Sequence, residues 1–159
     1  MKLKWVFLLL ITHAGVGFAG FALGIYLLPI LIAPESPDDA AVVAAQGDSM
    51  FMAEFHRDLQ GSDALHWGEG KVYVNHDVVS FRGKLAPGPD YKLYLSPAFV
   101  ETEQDFLALK PQMVRVGDVK TFDNFIVPMP ADIDPGVFNT VIVWCETFGQ
   151  FITSAQYKP

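Results

Sequence analysis

Cysteine is almost missing from this chain: Cys145 is the only one. An internal disulfide is therefore excluded, as is any metal motif built on paired cysteines. There is no C-x-x-C-H run, so covalent c-type haem is excluded, and no His-x-His pair offers a recognisable metal signature. Charge is missing from one long stretch, with none between Lys4 and Glu35. Basic clusters are missing throughout, which removes the electrostatic footprint of a nucleic-acid binder. There is no phosphate loop, no nucleophile elbow followed by a Ser-His-Asp order, and no paired carboxylates with a reason to be paired. Without a catalytic set, the sequence points away from an enzyme. Internal repeats and low-complexity segments are also absent.

What is present falls into two unlike parts. The 159 residues are 51% hydrophobic, but this average combines an almost unbroken apolar run, Trp5 to Ala33, with an acidic globular remainder. Apart from Lys2 and Lys4, nine basic residues face 18 acidic ones, leaving the remainder at about −9 near neutral pH. A field of that sign disfavours nucleic acid and anionic lipid heads.

Residues 1–33 admit two readings. A cleaved signal peptide has a basic start, a short apolar stretch and a small-x-small cleavage site. The start fits, but the apolar stretch is too long, and cleavage near Ala19-Gly20-Phe21-Ala22 would leave Leu23–Ile32 on the mature chain. A membrane-spanning helix needs about 20 apolar residues, which Trp5–Leu28 supplies. The expectation is an uncleaved signal anchor with a single transmembrane helix. Lys2 and Lys4 precede the span, while Glu35, Asp38 and Asp39 follow it. The positive-inside rule then puts the N-terminus in the cytoplasm and the domain outside it. In a bacterium this means the inner membrane, with a periplasmic or extracellular domain. His13 is an ionisable group inside the span, where such groups are functional candidates; the alternative is a local hydrogen bond.

Residues 34–49 read as a linker. Ser36, with Pro37, Asp38 and Asp39 after it, predicts a helix start, and Gly47 a stop. The expectation is a short helix on Asp38–Gln46 or a mobile tether.

Residues 50–159 read as one all-β domain. Candidate strands are Phe51–His56, Lys71–Asn75, Val78–Leu85, Tyr91–Leu95, Val114–Val119, Thr121–Val127, Thr140–Cys145 and Gln150–Gln156. Glu103–Lys110 reads as a short helix, with Thr102 and Asp105 in a capping-box relation. Pro87-Gly88-Pro89-Asp90 is a firm turn signal. Seven to nine short, mostly antiparallel strands separated by turn signals predict a β-sandwich. Val141–Trp144 is apolar at every position and predicts a strand buried on both faces.

The candidate site centres on Cys145. A lone thiol in an oxidising compartment is a redox group, a metal or haem ligand, half of an intermolecular disulfide, or a small buried hydrophobe. The cofactor stays open between haem, a metal and none. His56, His66 and His76 are the imidazoles outside the span. Asp90 either contributes a polar contact or orders its own turn. Trp67, Trp144, Tyr91 and Tyr94 either relay an electron or pack an apolar region.

Several stretches together resemble one family. They are His66-x-x-x-Gly70, Gly88-Pro89-Asp90 leading into Tyr91-Lys92-Leu93-Tyr94-Leu95, Val127-Pro128, Val141-Ile142-Val143-Trp144-Cys145 with Phe148 beyond, and Ser154-Ala155. The pattern is similar to the electron-transfer DM-thirteen domain and runs from about Phe55 to Tyr157. It departs from the family at Tyr91, where leucine is common, and at Phe81-Arg82-Gly83-Lys84, which replaces a more acidic segment. The resemblance implies a β-sandwich with one characteristic cysteine, here Cys145, and an electron-transfer role. His66 matches the family pattern and becomes the best second residue, with Asp90 and Trp144 in support. The expected function is redox or electron transfer through Cys145, with a redox protein partner. The alternative is a surface module that binds a protein or ligand, with Cys145 structural.

Overall fold

The structure, a computed structural model, describes residues 3–159. Lys2, one of the two basic residues used to orient the N-terminus, lies outside them. Helix α1, Leu3–Ile32, is 30 residues long and apolar enough to cross a membrane. His13 makes the local bond, its Nδ1 donating to the Leu9 carbonyl at 2.7 Å. Helix α2, Asp39–Gln46, fills the expected linker helix, but its N-cap is Asp38 and not Ser36. The Asp38 carboxylate accepts from the Ala41 N–H at 2.7 Å, closer in sequence to the first open amides than Ser36 lies.

Eight strands follow: β1 Phe51–Phe55, β2 Gly68–Val74, β3 Val78–Leu85, β4 Tyr91–Ser96, β5 Val114–Val119, β6 Phe125–Pro128, β7 Thr140–Cys145 and β8 Gln150–Gln156. They form two four-stranded antiparallel sheets in the orders β1-β2-β3-β6 and β5-β4-β7-β8. The sandwich is therefore as expected. The expected strand Thr121–Val127 is shorter at its start. Thr121 Oγ1 donates to the Asn124 carbonyl at 2.7 Å, so residues 121–124 close a turn and pairing begins at Phe125.

The inner faces of both sheets share one core. The first contributes Phe55, Val72, Val74, Val79, Phe81 and Phe125; the second contributes Leu93, Leu95, Val141, Val143 and Cys145. β7 is buried at all six positions because a second cluster covers its other face. That cover is helix α3, Glu103–Leu109, capped as expected: Thr102 Oγ1 accepts from the Asp105 N–H at 3.1 Å. A register shift between Val143 and Trp144 offsets β8 from β7. Trp144 and Phe151 thereby reach the outer cluster, while Ile152 stays in the inner core.

Candidate functional site

Cys145 is the last residue of β7. It pairs with Tyr91 on β4 and Gln150 on β8, and only 2% of it is exposed. Side chains alternate along a strand, so Cys145 faces the inner core while Trp144 and Glu146 face the other way. Three loops meet at this end of the sandwich. The turn after β7 approaches the one before β4 through the Glu146 N–H, which donates to the Asp90 carbonyl at 3.0 Å. The Tyr91 hydroxyl donates to the Ala86 carbonyl at 2.7 Å, fixing the Pro87–Pro89 segment between them.

The third loop carries His66. Asp63 organises it: one carboxylate oxygen accepts from the Leu65 and His66 N–H groups at 2.7 and 2.8 Å, and the other takes a hydrogen from His66 Nδ1 at 2.9 Å. The His66 imidazole, with backbone N–H groups adding to it, holds the Asp63 carboxyl below its ordinary range. With Nδ1 committed, Nε2 has no protein partner among the described residues.

A cavity of about 440 Å³ opens where the three loops meet. Cys145, His66, Tyr91, Phe148 and Ile152 line it, and α1 closes one side with Ala22, Ile25 and Tyr26. No Asp, Glu, Lys or Arg is among the lining residues. Burial pushes the Cys145 thiol above its ordinary pKa. The backbone N–H groups of Phe148, Asp90 and Thr147 pull the other way without offsetting it. The thiol is therefore protonated near neutral pH.

The side chains of the remaining candidates lie apart from the cavity. Asp90 points to the edge of the second sheet, where Lys92 Nζ sits 2.6 Å from one carboxylate oxygen and Thr147 Oγ1 donates to the other at 3.1 Å. It braces its turn, and Lys92, then Thr147, hold its carboxyl below the ordinary range. Trp144 stacks on Phe106 with ring centres 3.9 Å apart, and Tyr94 meets Phe106 edge-on at 5.3 Å. Lys110 Nζ contacts both oxygens of Glu146 at 2.9 Å, and the Tyr94 hydroxyl donates to the same carboxylate. Burial alone would raise the Glu146 pKa, but Tyr94 and Lys110 together hold it below its ordinary value. The Trp144 indole N–H lies near enough to favour the same charge, though it makes no hydrogen bond of good geometry.

His56 and His76 are exposed and line no part of the cavity. Trp67 lies under the Arg57 guanidinium, 3.3 Å from the ring centre. Among the described residues, no group of three or more His, Cys, Asp or Glu converges to hold a metal ion. A metal caged by protein side chains alone, including copper between a thiolate and two imidazoles, does not fit. Sequence reasoning did not single out Asp63 or Leu65. The Asp-x-x-His spacing was the available signal for Asp63.

The family model described as "Electron transfer DM13" matches residues 43–157, starting inside α2 and ending one residue after β8. No curated protein and no solved structure matches the chain.

Proposed function

Because the chain belongs to the electron-transfer DM13 family, we propose that it is a membrane-anchored electron-transfer domain whose redox site is the cavity holding Cys145. The observation that carries this reading is the meeting of Cys145 and His66, 79 positions apart in sequence, at one mostly apolar cavity. Cavities of this size with a few polar groups suit a small molecule or prosthetic group. The thiol is neutral at rest, so the site offers no standing thiolate nucleophile. A group entering it meets a thiol, an imidazole with a free Nε2, and mostly apolar walls. Cys145 is the redox or cofactor-ligand residue, His66 the second polar group, and Asp90 and Trp144 hold the turn and the outer face of β7. The domain lies outside the cytoplasm, a reading supported by Lys4 before the span and by Glu35, Asp38 and Asp39 after it.

The test is the absorption spectrum, oxidised and reduced, of the full chain purified from membranes, beside Cys145→Ala. A redox-sensitive band lost in the variant makes Cys145 a cofactor ligand. A colourless protein eliminates haem and leaves thiol chemistry, which a redox titration of Cys145 reads directly. A colourless protein whose variant supports electron transfer as well as the parent would sink the proposal.

One observation favours a second reading. A thiol that is 98% buried and protonated is also what a structural cysteine looks like. The domain is then a surface module for a protein or ligand partner, and Cys145→Ala leaves its function intact.

A further inference from the structure

Helix α1 is longer than a bilayer requires. Its 30 residues span about 45 Å, whereas a hydrocarbon core of about 30 Å needs about 20 residues. The surplus turns stay apolar through Leu27, Leu28, Ile30, Leu31 and Ile32. They do not stand free of the domain. Pro29 is buried, and Ala22, Ile25 and Tyr26 form one wall of the Cys145 cavity. Counted about 20 residues from Lys4, the hydrocarbon ends near Gly24, and the cavity then lies beside the stretch of α1 at the boundary between lipid and water. Two large apolar side chains on its domain side point outward, Leu65 at 58% exposure and Phe148 at 51%. Such residues at a cavity rim suit contact with lipid better than with water.

The lining specifies the ligand further. It contains no Asp, Glu, Lys or Arg, so an ionised metabolite finds no carboxylate, ammonium or guanidinium partner there and loses its hydration. Its polar groups include the Cys145 thiol and His66, whose Nδ1 is committed to Asp63 and whose Nε2 is open to accept a hydrogen bond. We propose that the cavity takes a lipid-dissolved ring compound of the quinone/hydroquinone class, entering from the bilayer and donating a ring hydroxyl to His66 Nε2. This rests on the reading of the cavity as the functional site, and it names the ligand class and the direction of entry.

The test uses the full chain in phosphatidylcholine nanodiscs. The probe is a benzoquinone substituted at every ring position, with a ten-carbon tail; full substitution prevents it from alkylating the thiol. Phe148→Trp places a fluorophore on the cavity rim. Reduced probe should quench its added emission saturably, and His66→Ala in the same background should weaken the apparent affinity about tenfold, the loss of one buried hydrogen bond. In parallel, Cys145 should be alkylated faster by a lipophilic maleimide than by a sulfonated one. Probe at ten times its dissociation constant should slow that reaction about tenfold. Decanol at equal membrane content should not.

Linear, non-saturating quenching overturns the proposal. So does protection by decanol equal to that by the quinone, which would mean an acyl-chain site only. Faster reaction with the sulfonated reagent would mean a mouth facing water and would overturn it equally. Saturable quenching that persists in Cys145→Ala, without electron transfer at the thiol, upholds the ligand class while rejecting the redox role of Cys145. A redox-active Cys145 with no quinone binding does the reverse.

Discussion

Burial, more than any neighbouring charge, sets the chemistry of Cys145, and its pH dependence follows from that. The folded thiol titrates above its ordinary range, so its alkylation rate should keep rising with pH where a free thiol has already levelled off. Stopped-flow labelling of the full chain from pH 7 to 10 reads this; a plateau at or below the ordinary thiol range would contradict it. Glu146 has the opposite sign. Its folded pKa is lowered, so its contribution to stability is complete above the ordinary glutamate range and fades as pH falls through the folded value. Glu146→Gln should cost about 1–2 kcal/mol at neutral pH and flatten the acid limb of the melting curve, because Lys110 loses its charge partner. Gly70 is fixed by geometry. Its φ is +136°, and a Cβ there would lie 2.3 Å from the Arg82 carbonyl oxygen across the β2–β3 pair. Gly70→Ala should cost about 2–3 kcal/mol in thermal or chemical unfolding.

Among the elements, α3 does the most with the fewest residues. Its one buried side chain, Phe106, lies flat on Trp144 and edge-on to Tyr94, and so seals the outer face of β7 and β4. Phe106→Ala should destabilise the chain by about 3–5 kcal/mol and shift Trp144 emission to the red, as α3 loosens and water reaches the indole. Unchanged Trp144 emission in a folded variant would show that α3 is held by its Thr102 cap and by the Lys110–Glu146 pair just after it instead. At this scale the sequence was readable. The alternation in β1, with Phe51, Ala53 and Phe55 on one face, and the continuous apolar run of β7 marked those strands, because one- and two-sided burial leave different patterns. The start of β6 was not readable: Thr121 and Phe122 have strand-like chemistry, and only the hydroxyl bond to Asn124 turns them away from the sheet. The Ser36 cap misled for a similar reason, since Asp38 offers the same capping oxygen nearer to the amides.

In the whole molecule, the candidate site was only half legible. Cys145 and His66 stood out as single residues, but nothing in their spacing brings the β1–β2 loop against the end of β7; strand order does. Trp144 shows the converse. It adjoins Cys145 in sequence and yet lies across the sheet from the cavity, because alternation separates neighbours that the chain joins. The closing of the cavity by α1 could not be read from either part alone. A Pro29→Ala, Tyr26→Ala chain should leave the sandwich's melting temperature within a few degrees of the parent's, yet raise Cys145 labelling by water-soluble reagents several-fold, since the helix covers the cavity without forming the inner core.

The joint between membrane helix and domain has one more consequence. α2 is anchored by the fully buried Val42, and Asp39 is held by Arg82 and Asn124. Only residues 33–38 connect α1 to α2, a reach of about 20 Å when extended. With α1 in a bilayer, the domain has no arm on which to swing towards a distant partner. For a partner held in the same membrane, encounters become collisions in a plane, and their frequency follows how many such molecules share each patch of membrane.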